Sequence, residues 1–434
     1  MSKFNVSLQN VKYENDILSF KISGSESYGI DKSMINCIRR TILTDIPTVA
    51  FRVDENTTKD IKVNENTGSI HNEMLLQRIS LIPLYIDPHN YYNNYLFELK
   101  VKHDNSNIYK FVTAKDFNIY PLIPKIQQRV DEIEDGNIQS ELKDILESKN
   151  IENYDLKNPL SEKKKENIFR PFIFKKEKNY CLITELKNTN TEDMQQTLDL
   201  YGVPSLSTGK EHSRYQSVSL ANYTFVKDQT MIDGVISEKI SLENIPEEKQ
   251  EEFAKKITLS ESERYYKRDI DNEPYEYEFS IKSVHYLESG EIFMKSIELI
   301  IDKLDNIKLQ CLNLLKDKES SISVNKKNDI LYDIIIHNEG HTMGNLIQSH
   351  IVRRCINEES IIQVCGYKRT HPLEECMILF ISLNPGNKII KESETNKFQM
   401  VMTFIMDELN VLKEQFKSIL KSSEESDLIK GSGN

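Results

Sequence analysis

A ten-residue run occurs twice in this chain, once near each end. Met34 to Leu43 reads MINCIRRTIL, and Met343 to Val352 reads MGNLIQSHIV. Aligned without gaps, the two share Met34 with Met343, Asn36 with Asn345, Ile38 with Ile347 and Ile42 with Ile351. Apolar residues four apart lie on one face of an α-helix, so Met34, Ile38 and Ile42 predict a helical stripe, as do Met343, Ile347 and Ile351. Short helical runs share letters by chance, so the echo carries weight only if the flanking sequence repeats as well.

It does. Phe293, Ile297, Ile300, Leu304, Ile307, Cys311 and Leu314 fall at alternating spacings of four and three, an a/d seam. The same spacing returns at Phe398, Met402, Ile405, Leu409, Leu412, Phe416 and Ile419. Each seam closes a unit of like order: strands, a helix with M-x-N-x-I-x-x-x-I, strands, a long helix. Two ordinary amphipathic helices, each packed on its own sheet, would give the same seams. The duplicated order favours two related units packed on one another as an intrachain pseudo-twofold pair.

Taken in order, residues 4–23 predict two strands around Glu14-Asn15-Asp16. Asp31 or Ser33 caps the first repeated helix, and TVAFRV follows as a strand. A second helix is expected over about 71–79, after the capping candidate Ser69. From Tyr85 to about Phe225 the pattern is interrupted and strand-like, and residues 131–166 read as a polar surface excursion rather than core. Another polar stretch, 238–256, precedes a strand over 275–287. The expected fold is α+β. Residues 1–53 and 270–316 make a first dimerisation unit interrupted by a mostly-β inserted domain over 54–269. Residues 317–328 are a linker, 329–421 a second dimerisation unit, and 422–434 a disordered tail.

Charge and cysteine narrow the function classes. With 68 acidic and 56 basic residues the net charge is −12, which argues against a broad phosphate-binding face. None of the six cysteines forms a C-x2-C pair, and several sit in apolar runs as small core residues. The start MSKFNVSLQN has no apolar h-region, and the longest apolar run is too short for a bilayer. The expectation is a soluble protein of a reducing, intracellular compartment.

Three apparent sites dissolve on inspection. His337, His341 and His350 with Glu339 suggest a zinc hydrolase, but the string is HNEGH and not H-E-x-x-H. His337 should end a strand while His341 opens a helix. STGKEH lacks the glycine spacing and the magnesium-binding hydroxyl of a P-loop. No clustered D-x-D triplet of the kind that holds catalytic magnesium occurs.

Several longer strings resemble one known family. INCIRRTILTDIPTVAF and NTGSIHNEMLLQRISLIPL are similar to the assembly subunit of multisubunit RNA polymerases, that is, the bacterial alpha subunit and the third-largest subunit of RNA polymerase II. VTAKDF, GKEHSRYQSV and FSIKSVHYL resemble the same subunit. HNEGHTMGNLI and GYKRTHPLEE resemble its smaller partner, the eleventh subunit. Singly such strings are weak, and their order along the chain carries the resemblance.

The resemblance implies a fusion of two chains that are separate in most cellular relatives, an arrangement resembling that of large DNA viruses. It implies a non-catalytic platform without a cofactor. Its partners would be the two large catalytic subunits and small zinc-bearing subunits, with DNA and RNA met only through the complex. Arg39 and Arg40 fall on a basic pair whose helix faces the second-largest subunit, and guanidiniums suit bidentate bonding there. Glu211, His212 and Arg214 fall at another subunit contact; surface-loop chemistry is the alternative. The intrachain pairing surface would comprise Met34, Ile38, Ile42, Met343, Ile347, Ile351 and the two seams. A viral origin would place the protein in host cytoplasmic factories and virions, with the nucleus also open. Many cellular relatives hold a metal or cluster through four cysteines in the inserted domain. Here that span has only Cys181, so no such site is expected. The competing reading is a stand-alone dimeric adaptor of the same fold outside transcription.

Overall fold

The computed structural model describes residues 6–426 and 428, apart from 26–29, 54–59, 105–106, 134–139, 190–194, 271, 356–359 and 388–391. Helices and sheets are mixed. The described residues divide into two compact units, one drawn from 1–45, 218–282 and 289–434, the other from 46–217 with 283–288. Residues 218–269, expected with the 54–269 segment, therefore group with the termini.

The first unit holds two four-stranded sheets. In one, β1 (Ser7–Glu14), β2 (Ile17–Ser23), β3 (Val218–Phe225) and β4 (Glu276–Ser283) lie in the order β1-β2-β4-β3. In the other, β5 (Ile322–Lys326), β6 (Leu331–His337), β7 (Ile362–Lys368) and β8 (Cys376–Leu383) lie in the order β5-β6-β8-β7. The order is the same in both. α1 (Lys32–Thr44) follows β2, and α2 (Ser289–Leu315) follows β4. α3 (His341–Cys355) and α4 (Glu394–Glu425) stand at the matching places after β6 and β8.

Alternation explains which faces are buried. Leu18, Phe20 and Ile22 of β2 sit opposite Ile281, Phe279 and Tyr277 of β4, and all six are buried. Phe20 stacks on Phe279 and meets Phe293 of α2 edge-on, with centroids 4.8 Å apart, which seats α2 on the sheet. In the second sheet Ile334 and Ile336 of β6 face Leu379 and Met377 of β8, all buried. α2 and α4 pack side by side. Their seam residues are buried except Leu314 and Phe398, which are half-buried. Lys413 reaches Asp305 at 2.5 Å and Lys308 reaches Asn410 at 2.8 Å between the same two helices.

The second unit is built on a four-stranded sheet of Ile61–Asn66, Thr197–Gly202, Tyr95–Lys102 and Asn118–Pro121, in that order. Two-stranded pairs flank it, Pro47–Ala50 with Ser205–Thr208 and Tyr109–Thr113 with Leu182–Lys187. Phe97 is its centre, meeting Phe51, Phe117 and Phe169 edge-on.

Four expectations need correction. Residues 131–166 are not merely a surface excursion: the helix Ser140–Glu147 buries Leu142 and Leu146, and both join Leu122, Val130 and Tyr154 in a small core. Few apolar residues suffice there because two of them lie four apart on one helical face. The 317–328 linker contains β5, whose Ile322 is buried and paired with Ile336. The tail is helical through Glu425, and Tyr13 donates to the carbonyl of buried Leu428 at 2.5 Å. The remainder of that predicted disorder, 427 and 429–434, lies outside the described residues. The helix Asn72–Ser80 has His71, not Ser69, at its N-cap position, and His71 makes no side-chain capping bond.

Candidate functional site

The first candidate region is α1 and its contact with α3. Asp31 is the N-cap of α1, its carboxylate accepting from the Ser33 amide at 3.2 Å and the Ser33 hydroxyl at 2.5 Å. It also accepts from Ser349 of α3. At the other end of the helix stands Asp45, where a carboxylate opposes the helix dipole. Lys303 of α2 answers it at 2.6 Å. Burial works to lower the Lys303 pKa, but the Asp45 carboxylate outweighs it and the net shift is upward.

The two arginines of α1 diverge. Arg39 is half-buried and folds back on its own helix, donating through Nε and Nη2 to Oδ1 of Asn36 at 3.2 and 2.9 Å. Arg40 is exposed and reaches α3, where its Nε donates to the Thr342 hydroxyl at 2.8 Å. On the other helix Gln348 and Ser349 occupy the aligned positions. Met34, Ile38, Ile42, Met343, Ile347 and Ile351 are all buried. Between α1 and α3 lies a cavity of about 190 Å³. Asn36 and Asn345, the aligned asparagines of the repeated run, both line it, as do Ser33 and Thr342, the residues one place before each run. Cys37 is in its wall, and burial pushes that thiol up to about 12, so it stays protonated and unreactive.

The second candidate region is the GKEH loop, in the second unit. Glu211 takes a bidentate pair from Arg52, Nε to Oε1 at 2.7 Å and Nη2 to Oε2 at 2.8 Å. The Arg52 bond holds the Glu211 carboxyl below its usual range, against the opposing effect of burial. His212 caps a short 3-10 turn, its Nδ1 accepting from the amide of Arg214 at 3.2 Å and from its Nε at 3.1 Å. Arg214 is buried, with Nη1 donating to the Phe51 carbonyl at 3.0 Å. Of the three residues picked out in the sequence, Glu211 is exposed, His212 half-exposed, and Arg214 a brace beneath them.

Sequence reasoning passed over Arg353, Asp269, Lys303 and Tyr367, whose roles depend on distant partners. Asn345 was visible in the repeat alignment and could have been singled out from it. His341, set aside as a zinc ligand, opens α3 beside the Tyr367 ring, while His337 ends β6. Among the described residues no cluster of His, Cys, Asp and Glu could hold a metal ion, and no helix is long and apolar enough to cross a membrane.

Comparison with known proteins finds one family match, in the C-terminal part of the chain. Residues 332–420, from β6 through most of α4, match the RNA polymerase Rpb3/Rpb11 dimerisation domain. The chain is similar to DNA-directed RNA polymerases I and III subunit RPAC1 of Homo sapiens, 24% identical over 210 residues, covering 48% of this chain and 53% of that one. It is similar to DNA-directed RNA polymerase subunit Rpo3 of Methanosphaera stadtmanae, 29% identical over 122 residues, 23% of this chain and 43% of the relative. A 78-residue stretch is 32% identical to the Mus musculus RPAC1 subunit, 18% of this chain and 19% of that one. The chain spans about half the length of the first of these relatives, and it is homologous to RNA polymerase subunits.

Proposed function

We propose that this protein is a non-catalytic assembly subunit of a multisubunit DNA-directed RNA polymerase, the platform on which the two large catalytic subunits and small subunits come together. One observation carries the reading: the dimerisation-domain match over 332–420 takes in α3 and α4, the two helices that meet α1 and α2 of the same chain. The relatives named above are themselves DNA-directed RNA polymerase subunits.

The finer reading follows the internal repeat. The N-terminal unit plays the third-subunit part and the stretch from β5 through α4 the eleventh-subunit part, fused into one pseudo-dimer, with the segment from 54 to 217 as the inserted domain. The shared strand order of the two sheets and the aligned places of α1 and α3 support it. A large DNA virus is the source this fusion suggests. The large subunit would meet Arg40 on α1 and the Glu211–His212 surface, with Arg39 and Arg214 holding those surfaces in shape.

Affinity purification of the tagged full chain from its native cells tests this. The two large polymerase subunits should be recovered with it in stoichiometric amount. Recovery of the chain without them defeats the reading and leaves the stand-alone dimeric adaptor in its place.

A further inference from the structure

The cavity between α1 and α3 has an unusual division of labour. It is lined at sequence-equivalent positions by Asn36 and Asn345 and by Ser33 and Thr342, so part of its frame is symmetric. The charge is not. Among the lining residues only Arg40 carries a fixed charge, and the aligned position on α3, Ser349, bonds to Asp31 elsewhere. Arg40 uses only its Nε, on Thr342; neither Nη has a partner among the described residues. The amide of Asn345 and the ring nitrogens of His341 likewise have none. His341, Thr342 and Asn345 stand in the first turns of α3, whose leading backbone N–H groups lack intrahelical acceptors and where the helix dipole is positive, while Arg40 reaches in from α1.

We propose that this cleft is a receptor for one acidic side chain of a partner protein, with Arg40 as the charged ligand and Asn345 and His341 as flanking donors. The argument is complementarity. Two free Nη groups make a fork that a carboxylate fills with parallel bonds, and a planar acid accepts further bonds from the flanking amide and imidazole. A cavity of about 190 Å³ admits a carboxylate with its methylene stem and a few waters. Lys303 is matched by Asp45 at its side of α1, and Glu339 acts on Lys303 and Cys37 nearby, so the attraction comes from Arg40 and not from a general basic field. A protein side chain is favoured over a free anion because Arg40 is exposed at the mouth, where a docking surface can present one.

The inference rests on the polymerase-assembly reading for the partner's identity, and the test separates the two. Asn345→Asp puts a carboxylate of the same shape on the cleft wall without touching the surface of α1. With the wild-type chain recovering the large subunits, Asn345→Asp, which sets a carboxylate against the partner's acid, and Arg40→Ala, which leaves that acid without its cation, should each lower that recovery about tenfold or more. Thermal midpoints unchanged from wild type would show that the fold is intact. Recovery at the wild-type level by both variants overturns the cleft and leaves the assembly role standing. A second arm needs no polymerase: the full chain with labelled histidine and asparagine is titrated with a blocked Gly-Glu-Gly peptide and with its Gly-Gln-Gly counterpart. Shifts at His341 and Asn345 with the glutamate peptide alone support the cleft. Shifts with neither peptide, or equal shifts with both, overturn it, including where wild type recovers no large subunit. Equal shifts with free acetate and the glutamate peptide would mark a small-anion site instead.

Discussion

Arg353, in the last turn of α3, donates to the carboxylate of Asp269 at 2.7 Å and lies 3.9 Å from Asp31, the N-cap of α1. The Asp269 side chain is only 3% exposed. One guanidinium thus ties α3 to two segments far away in sequence, and it also suits the negative end of its own helix. Arg353→Ala removes the cation facing a buried carboxylate, a change worth about 2–4 kcal/mol. The first unit's thermal midpoint should fall by about 5–10 °C. A midpoint unchanged from wild type would deny Arg353 this role.

The Lys303–Asp45 pair makes stability depend on alkaline pH. The folded-state pKa of Lys303 is raised above 10.5, so its contribution is fully present below the unfolded value and fades as pH rises through the folded one. Wild type should lose more stability than Lys303→Met on going from neutral pH to beyond that value, and the two curves should converge at the alkaline end. Parallel melting curves across the range would show the pair to be energetically silent.

Two helical glycines should respond in opposite senses. A Cβ on Gly344 would lie 2.5 Å from Cδ2 of Tyr367 and 3.0 Å from Sδ of Met377, so α3 touches its sheet through this position. Gly344→Val should destabilise by about 1–3 kcal/mol or more, as overpacked cores do. Gly234 has nothing within 4 Å of its Cβ site, and Gly234→Ala should stabilise by up to about 1 kcal/mol through helix propensity. Urea denaturation of each variant reads the sign directly.

Cutting the chain should not separate its halves. A protease site inserted between exposed Lys318 and Glu319 leaves α2 and β6 intact on either side. Each fully buried seam side chain contributes about 1.5–3 kcal/mol, and those of α2 and α4 are mostly buried. After cleavage, the two fragments should leave a sizing column as one species at micromolar concentration. Separate elution would mean that these helices do not hold the pair.

What the sequence disclosed follows from periodicity. The four-and-three spacing from Phe293 to Cys311 located the buried face of α2, and that from Met402 to Ile419 the face of α4, because a helical stripe is written locally. β5 was hidden because its residues are mostly polar and its place is set by pairing with β6, a contact absent from the local pattern. Arg214 read as a surface residue, and only the fold brings the Phe51 carbonyl to it. The cleft itself was half visible: the matching asparagines were in plain sight, but that Arg40 leans toward Thr342 while Arg39 folds back onto Asn36 depends on geometry.

The packing of α2 on α4 within one polypeptide changes the kinetics of its formation. Two separate subunits must collide, and their pairing falls off with dilution according to a dissociation constant. Here the partner helix is delivered by the same round of translation at a fixed local concentration set by a connection whose β5 is already anchored to the second sheet. Pairing is then first order, always one to one, and insensitive to how little of the protein a cell makes.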